Sequence, residues 1–347
     1  MNQPTIVPAV GGIVKFPTIV AEIGANHGNN DLFDLIGKCS DAGAHAVKLQ
    51  TWTQDTMVLD PAAKAEGGTW DGANLMELYR EAYLPWDVQE RVFTEYTDKS
   101  FEGLEIFSSV FDLGALAFLE SMACPRYKIA SFEITDLPLI KAVAQTGKPM
   151  IISTGMATIG EITDAFCVAK GNGCTDLTLL KCTSAYPADP ASANLKSMVL
   201  LRDKYHCKVG LSDHTPGIGV ALAAVALGAT MIEKHVTMSR AAGGLDAGFS
   251  IEPHELEQLV VESKRVAESL GDANFGPTEA EKPQLALRRS LYVVKDMAKG
   301  EPFTMDCLTT ARPAIGVSPS HYAKALNKKA NISISAGTLF SWEMLEK

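Results

Sequence analysis

Apolar and β-branched residues gather into eight short runs along the chain: TIVAEIGAN (18–26), AVKLQT (46–51), EIFSSVF (105–111), RYKIASF (126–132), PMIISTG (149–155), LTLLKCTS (177–184), KVGLSDH (208–214) and MIEKHVT (231–237). Most of them end in polar residues. Stretches of helical period, such as LFDLIGKCSDAGA and LGALAFLESMA, lie between the runs. Parallel strands covered on both faces read as continuous apolar segments, and strand, helix, strand repeated in this way predicts a closed α/β barrel of the (β/α)8 TIM type. A doubly wound open sheet is the competing arrangement, but no Gly-rich dinucleotide turn follows the first run.

The spacing is even except after the second run, where residues 52–75 form an additional loop before the next helix. Long excursions after a barrel strand usually serve its active face. Ahead of the first run, IVPAVGGIVKF (6–16) is expected to form a hairpin that plugs the other end. Beyond the helical stretch HELEQLVVESKRVAESLG, the charged and proline-bearing segment 276–284 reads as a linker. KGEPFTMDCL (299–308) and AGTLFSWEML (336–345) then share the frame xGxxFxxxxL, so a small β-rich domain of two similar halves is predicted. The expected domains are a barrel over 1–275, a linker over 276–284 and the small domain over 285–347.

Composition narrows the class. Apolar residues make up 46% and charged residues 21%, within the range of soluble globular enzymes. A formal net charge of -10 argues against broad binding to nucleic acid or to anionic membranes, so an anionic substrate must be held by local groups. The seven cysteines are scattered and form no CxxC pair, which points to reduced core residues and a cytoplasmic protein. The first residues show no basic segment followed by an apolar core, and no apolar run is long enough to cross a bilayer, so a soluble protein that stays inside the cell is expected.

In a parallel barrel the carboxyl ends of all strands converge on one mouth. The runs deliver Glu22, Asn26 and His27; Lys48 and Gln50; Ser108 and Ser109; Lys128, Ser131 and Glu133; Ser153 and Thr154; Thr183, Ser184 and Tyr186; Ser212, Asp213 and His214; and Glu233, Lys234 and His235. Residues two apart share a face of a strand, which groups Glu22 with Asn26, Lys48 with Gln50, Ser212 with His214, and Glu233 with His235. Lys128 and Ser131 differ in parity, so that strand end must bend. Two imidazoles on adjacent strand ends, His214 and His235, can share one divalent ion, Mn²⁺, Mg²⁺ or Co²⁺, with oxygen ligands completing the shell. The plain alternative is that each ring hydrogen-bonds a loop. Lys48 and Lys128 each interrupt an apolar strand, where an unpaired ammonium is costly, and with the clustered serines they suit a phosphorylated, carboxylated small molecule. Glu22, Glu133 and Glu233 are candidate bases, or partners of those lysines.

In this order, AEIGANHGN, KLQT, FSSVFD, YKIASFE, IISTGMAT, KCTSAYP, GLSDHT and IEKHVT closely resemble the sialic acid synthase family. The tail RRSLYVVKDMAKGEPFT…RPAIGVSP resembles that family's antifreeze-protein-like (SAF) domain, so the likeness spans nearly the whole chain. GGTWDG, LPWD, YKIASFE, KCTSAYP and GGLDAGFSIEP are most similar to the pseudaminic acid synthase branch, which condenses phosphoenolpyruvate with 2,4-diacetamido-2,4,6-trideoxy-L-altrose. N-acetylneuraminate synthases commonly carry asparagine where Ser184 stands. The chain departs from the branch at Ala247 and Gly248, where serine and alanine are usual.

The resemblance implies a metal on His214 and His235, phosphoenolpyruvate on Lys48, Ser109, Lys128, Ser131, Ser153, Ser184 and Ser212, and the sugar on Gln50, Tyr186 and Asp246. Glu22 and Glu133 would then serve proton transfers or a metal-bound water. It also implies a homodimer in which the SAF domain caps the partner's barrel and Arg312 reaches in. Rivals are an N-acetylneuraminate or legionaminic acid synthase, a phosphoenolpyruvate-condensing barrel acting on a phosphorylated sugar, and a non-catalytic sugar-binding protein.

Overall fold

The computed structural model describes residues 16–29, 32–97 and 103–346. The hairpin expected over 6–16 lies outside the described residues apart from Phe16, whose half-buried ring sits 5.1 Å from that of His45. The chain divides into two compact units, Met1–Asp272 and Ala273–Lys347.

Unit one is the barrel. Its strands are β1 (Thr18–Glu22), β2 (Ala46–Thr51), β3 (Glu105–Val110), β4 (Tyr127–Ile129), β5 (Met150–Ser153), β6 (Leu177–Cys182), β7 (Lys208–Asp213) and β8 (Met231–His235). They pair in chain order, all parallel, and β8 closes on β1. The strands are buried nearly end to end, which is why they read as unbroken apolar runs. Helices follow the strand ends closely because capping residues stand there. Asp112, Asp136 and Thr158 accept hydrogen bonds from the backbone N–H three residues on, at 2.8, 3.0 and 3.3 Å, opening the helices Leu113–Ser121, Leu137–Gln145 and Ile159–Gly171. Early capping turns the chain away at once and leaves the mouth to the last residues of each strand.

Register settles which residues face inward. Glu22 lies beside Lys48 and His235, Gln50 beside Ser109, Ser109 beside Lys128, Cys182 beside Ser212, and Ser212 beside Glu233. Neighbours across a parallel ladder share a face, so these side chains form one inward ring. Asp213 and Lys234 are register partners on the opposite face, and they do not join the mouth.

Two local expectations are corrected. The first strand ends at Glu22, and Gly24–Asn29 is a 3-10 turn, so Asn26 is not a strand residue and the strand parity does not group it with Glu22. Gly24 breaks the strand by adopting φ +53°, a left-handed conformation that costs other residues free energy. Cys167 is exposed, so the reading of every cysteine as core fails there, while Cys39, Cys124, Cys174, Cys182 and Cys307 are buried and all seven are free thiols. The bend required between Lys128 and Ser131 is present: β4 stops at Ile129, and Ser131–Glu133 forms a 3-10 turn.

Unit two is small and β-rich, with β9 (Ser290–Val293) antiparallel to β10 (Leu308–Ala311). Its core gathers Leu291, Val293, Phe303, Leu308 and Phe340. The repeated frames meet there, since Phe303 and Phe340 are both buried with ring centroids 5.2 Å apart, edge to face. Among the described residues no helix is long and apolar enough to cross a membrane.

Candidate active site

A cavity of about 670 Å³ opens among the carboxyl ends of the barrel strands. Glu22, Lys48, Gln50, Ser109, Lys128, Ser131, Glu133, Ser153, Ser184, Tyr186, Ser212, His214, His235 and Asp246 all line it. Arg312 belongs to unit two, where it is exposed and precedes Pro313.

The floor of the cavity is a chain of buried charges. Lys48 Nζ lies 2.8 Å from Glu22 Oε1 and 3.4 Å from Glu233 Oε1, and Lys128 Nζ lies 2.8 Å from Glu233 Oε1. Polar neighbours fill the remaining valences: Gln50 Nε2 donates to Glu22 at 2.8 Å, Ser212 Oγ to Glu233 at 2.8 Å, and Lys48 Nζ to Ser109 Oγ at 3.1 Å. Burial pushes the Glu22 carboxyl up, but His235, Lys48 and Lys128 outweigh it and hold Glu22 well below the usual carboxylate range. Burial likewise raises Glu233, and Lys128 and Lys48 reverse the sign. For Lys48 the burial that would lower it is outweighed by Glu22 and Glu233, leaving it raised. Lys128 ends lowered, because burial and the neighbouring Lys48 exceed what Glu233 restores. Lys128 nonetheless keeps both oxygens of Glu233 within reach, at 2.8 and 3.1 Å.

Hydroxyls line the same cavity. Ser153 Oγ is buried without a hydrogen-bond partner, and Ser131 Oγ accepts from the Gly155 N–H at 3.0 Å. A Cβ on Gly155 would lie 2.2 Å from Ser184 Oγ and 2.8 Å from Ser131 Oγ, so only glycine lets both hydroxyls close on one spot. Glu133 adds a carboxyl of another kind. Its Oε2 is buried and unpartnered, and burial pushes it up to about 7.

The imidazoles of His214 and His235 have ring centroids 5.3 Å apart. His214 Nδ1 lies 3.0 Å from the Thr183 carbonyl, which can only accept, so Nδ1 carries a proton and, in the neutral ring, Nε2 offers a lone pair. His235 Nε2 is 3.3 Å from Glu22 Oε2, and its Nδ1 is buried, unpartnered and 3.4 Å from Asp246 Oδ2. Asp246 is itself oriented by the Ala25 N–H at 2.8 Å, and a Cβ on Gly24 would lie 2.3 Å from its Oδ2. An orphaned ring nitrogen, a second imidazole with a fixed tautomer and two adjacent carboxylates fit a divalent cation. Among the described residues no group of three or more His, Cys, Asp or Glu encloses an ion by itself, so oxygen from substrate or water would complete such a shell.

Several contributors escape a sequence reading. Asp213 and Lys234 form a wholly buried ion pair at 2.8 Å behind the mouth, and Asp213 Oδ1 also accepts from the Thr215 N–H at 3.0 Å while Lys234 Nζ donates to the Thr215 carbonyl at 2.6 Å. This clamp ties β7 to β8 directly beside both imidazoles; strand parity carried the signal. Phe249 and Trp70 stand in the quoted motifs without a role, yet both line the cavity. The Phe249 ring lies 5.0 Å from His235 and 5.2 Å from Tyr186. Only the length of the excursion after β2 hinted at Trp70.

Glu233→Gln leaves two buried ammoniums sharing Glu22, so the expected loss of stability is about 3 to 5 kcal/mol in denaturant unfolding. A loss below about 1 kcal/mol, the scale of solvated pairs, would contradict the dry network described here.

Comparison with known proteins agrees with this geometry. The NeuB family model matches residues 35–275 and the SAF domain model matches residues 288–346. The chain is 40% identical to the pseudaminic acid synthase of Helicobacter pylori, over 95% of this chain and 98% of that protein. It is 36% identical to the N,N'-diacetyllegionaminic acid synthase of Legionella pneumophila, over 94% of each. Among solved structures, the N-acetylneuraminic acid synthetase of Leptospira borgpetersenii superposes with a TM-score of 0.68 at 31% identity, covering 80% of this chain and 94% of that one. With the NeuB model matching residues 35–275, the SAF model matching residues 288–346 and relatives up to 40% identical over nearly its whole length, this chain belongs to the NeuB family.

Proposed function

We propose that the protein condenses phosphoenolpyruvate with 2,4-diacetamido-2,4,6-trideoxy-L-altrose, giving a nine-carbon nonulosonic acid and phosphate. The carrying observation is the convergence of the lysine and serine cradle and the imidazole pair on one cavity. The pseudaminic acid synthases among its relatives support the choice of sugar. The second reading, a legionaminic acid synthase, is favoured by relatives of nearly equal identity, 36% and 37%.

Phosphoenolpyruvate fits the Lys48 and Lys128 side. Its phosphate would meet Lys48, Lys128 and the unpartnered Ser153 hydroxyl, with Ser109, Ser131, Ser184 and Ser212 as further hydrogen-bonding groups of the same cavity. The open-chain sugar fits the other side, near Gln50, Tyr186 and Asp246. His214 and His235 would hold a divalent cation, Mn²⁺ in first place, which when bound polarises the aldehyde oxygen and carries its developing charge. The double-bond electrons of phosphoenolpyruvate form the new bond from its C3 to the aldehyde carbon, whose oxygen takes a proton. Water then adds at C2 and loses a proton, and the C2–O bond breaks to release phosphate. Glu133, neutral or ionised near pH 7, suits a proton exchange at the bridging or adding oxygen; Glu22 stays ionised and orients His235 and Lys48.

We also assign a homodimer, in which a partner's SAF domain brings Arg312 to the cavity, and a cytoplasmic setting, which suits seven free thiols. Both rest on the family resemblance and on composition.

The test is a sugar panel read by mass spectrometry. The diacetamido-trideoxy altrose is expected to outperform its legionaminic counterpart and N-acetylmannosamine; preference for either of the others would reassign the branch. His214→Ala or His235→Ala is expected to lower turnover by at least ~100-fold and to weaken Mn²⁺ binding in calorimetry, and full activity in a metal-stripped sample would refute the cation's place. For Glu133→Gln the kcat/KM profile should lose its inflection near pH 7. The sign for stability follows from a raised carboxyl: the wild-type contribution is complete below the ordinary value 4.5 and is lost as pH rises through about 7. Glu133→Gln should therefore gain stability relative to wild type over that window, and a flat difference would show that Glu133 is solvated.

A further inference from the structure

The polar and apolar parts of the cavity come from different pieces of chain. Strand ends supply the lysines, serines and imidazoles. The excursion after β2 supplies an apolar wall: Trp52, Met57, Trp70, Leu75, Leu78 and Tyr79 all line the cavity.

Trp70 is the outermost part of that wall that the contacts tie to the mouth. It sits in a built turn, with an antiparallel bridge between Lys64 and Asn74. Backbone hydrogen bonds join Ala65 N to the Ala73 carbonyl at 2.9 Å and Gly72 N to the Ala65 carbonyl at 2.9 Å, and the Asp71 carboxylate accepts from the Gly67 N–H at 2.7 Å. The Thr69 hydroxyl donates to the Tyr186 carbonyl, which pins the turn to the loop after β6. The Trp70 ring is then 5.5 Å from Tyr186 and 6.3 Å from Phe249, edge-on to the latter. Those two rings in turn lie against the imidazoles, Tyr186 at 4.4 Å from His214 and Phe249 at 5.0 Å from His235. Seen from the imidazoles there are two aromatic layers, Tyr186 with Phe249 first and Trp70 behind them.

We infer that Trp70 is a specificity-determining residue that selects a sugar whose far carbon is a methyl rather than a hydroxymethyl group. The inference rests on the condensation proposed above, with the aldehyde carbon at the imidazoles. A six-carbon open chain anchored there extends past the first aromatic layer, and its last carbon meets the second. The Thr69 hydroxyl has given its one proton to the Tyr186 carbonyl and can donate to no terminal hydroxyl, and the indole face replaces the water such a group loses only in part, whereas a methyl gains contact there.

The experiment compares kcat/KM for the trideoxy sugar and for its 6-hydroxy analogue, 2,4-diacetamido-2,4-dideoxy-L-altrose, in wild type, Trp70→Phe and Trp70→Ala, with the KM for phosphoenolpyruvate as internal control. Wild type is expected to favour the trideoxy sugar by roughly 100-fold, the scale on which an apolar pocket discriminates an added hydroxyl. Trp70→Ala should shrink that ratio about 10-fold or more, chiefly through the KM of the trideoxy sugar, and leave the KM for phosphoenolpyruvate within about 2-fold. Trp70→Phe should keep most of the ratio. An unmoved ratio in Trp70→Ala, with the wild-type preference intact, overturns the role of Trp70 alone. A wild type that prefers the 6-hydroxy analogue overturns the selection of a methyl and this inference with it, while the sugar panel above tests the reaction's assigned sugar separately.

Discussion

Glu22 is the joint on which the site depends. One of its oxygens accepts from Lys48 and Gln50, and the other lies 3.3 Å from His235. It thereby couples the cation-and-hydroxyl cradle to the imidazole pair through one buried carboxylate. Such a group is tolerated in the interior because Lys48 and Lys128 surround it and His235 lies against it, and the two ammoniums are tolerated because Glu22 and Glu233 answer them. The arrangement has little slack. Each member holds its neighbour's place through charge and hydrogen bonds, which is the kind of preorganisation that electrostatic catalysis requires.

The barrel makes this possible by register. Parallel pairing fixes which residues stand side by side, and a run such as IEKH places Glu233 and His235 inward while Lys234 turns outward to Asp213. One strand end thus serves two layers. The inner layer lines the cavity; the outer layer clamps β7 to β8 beside the two imidazoles. The inserted segment then adds what strand ends cannot, a hydrophobic wall that contributes shape without competing for protons.

Much of this was legible in the sequence, for reasons that can be named. Parallel barrel strands are buried on both faces, so they announce themselves as apolar runs, and their closure follows from repetition. The inward residues were legible because an ammonium or carboxylate interrupting such a run must find a partner, as Lys48 and Lys128 do. What could not be read were contacts set by loop geometry. Gly24 ends β1 early and moves Asn26 off the strand, and no period in AEIGAN announces that break. Trp70 reaches Tyr186 across more than a hundred residues of sequence through a turn whose direction depends on Asp71 and Thr69. The outward pairing of Asp213 with Lys234 was available from parity, but polarity at a strand end drew both into the mouth. The position of Arg312 relative to the cavity involves unit two and lay beyond any pattern in the barrel.

The most direct measurement of the central claim is a crystal structure grown with manganese and phosphoenolpyruvate and recorded at the manganese edge. The account predicts an anomalous peak within bonding distance of both His214 and His235, with the phosphate against Lys128 and Ser153. A cation bound to only one imidazole or to neither, or a phosphate seated away from the two lysines, would contradict it.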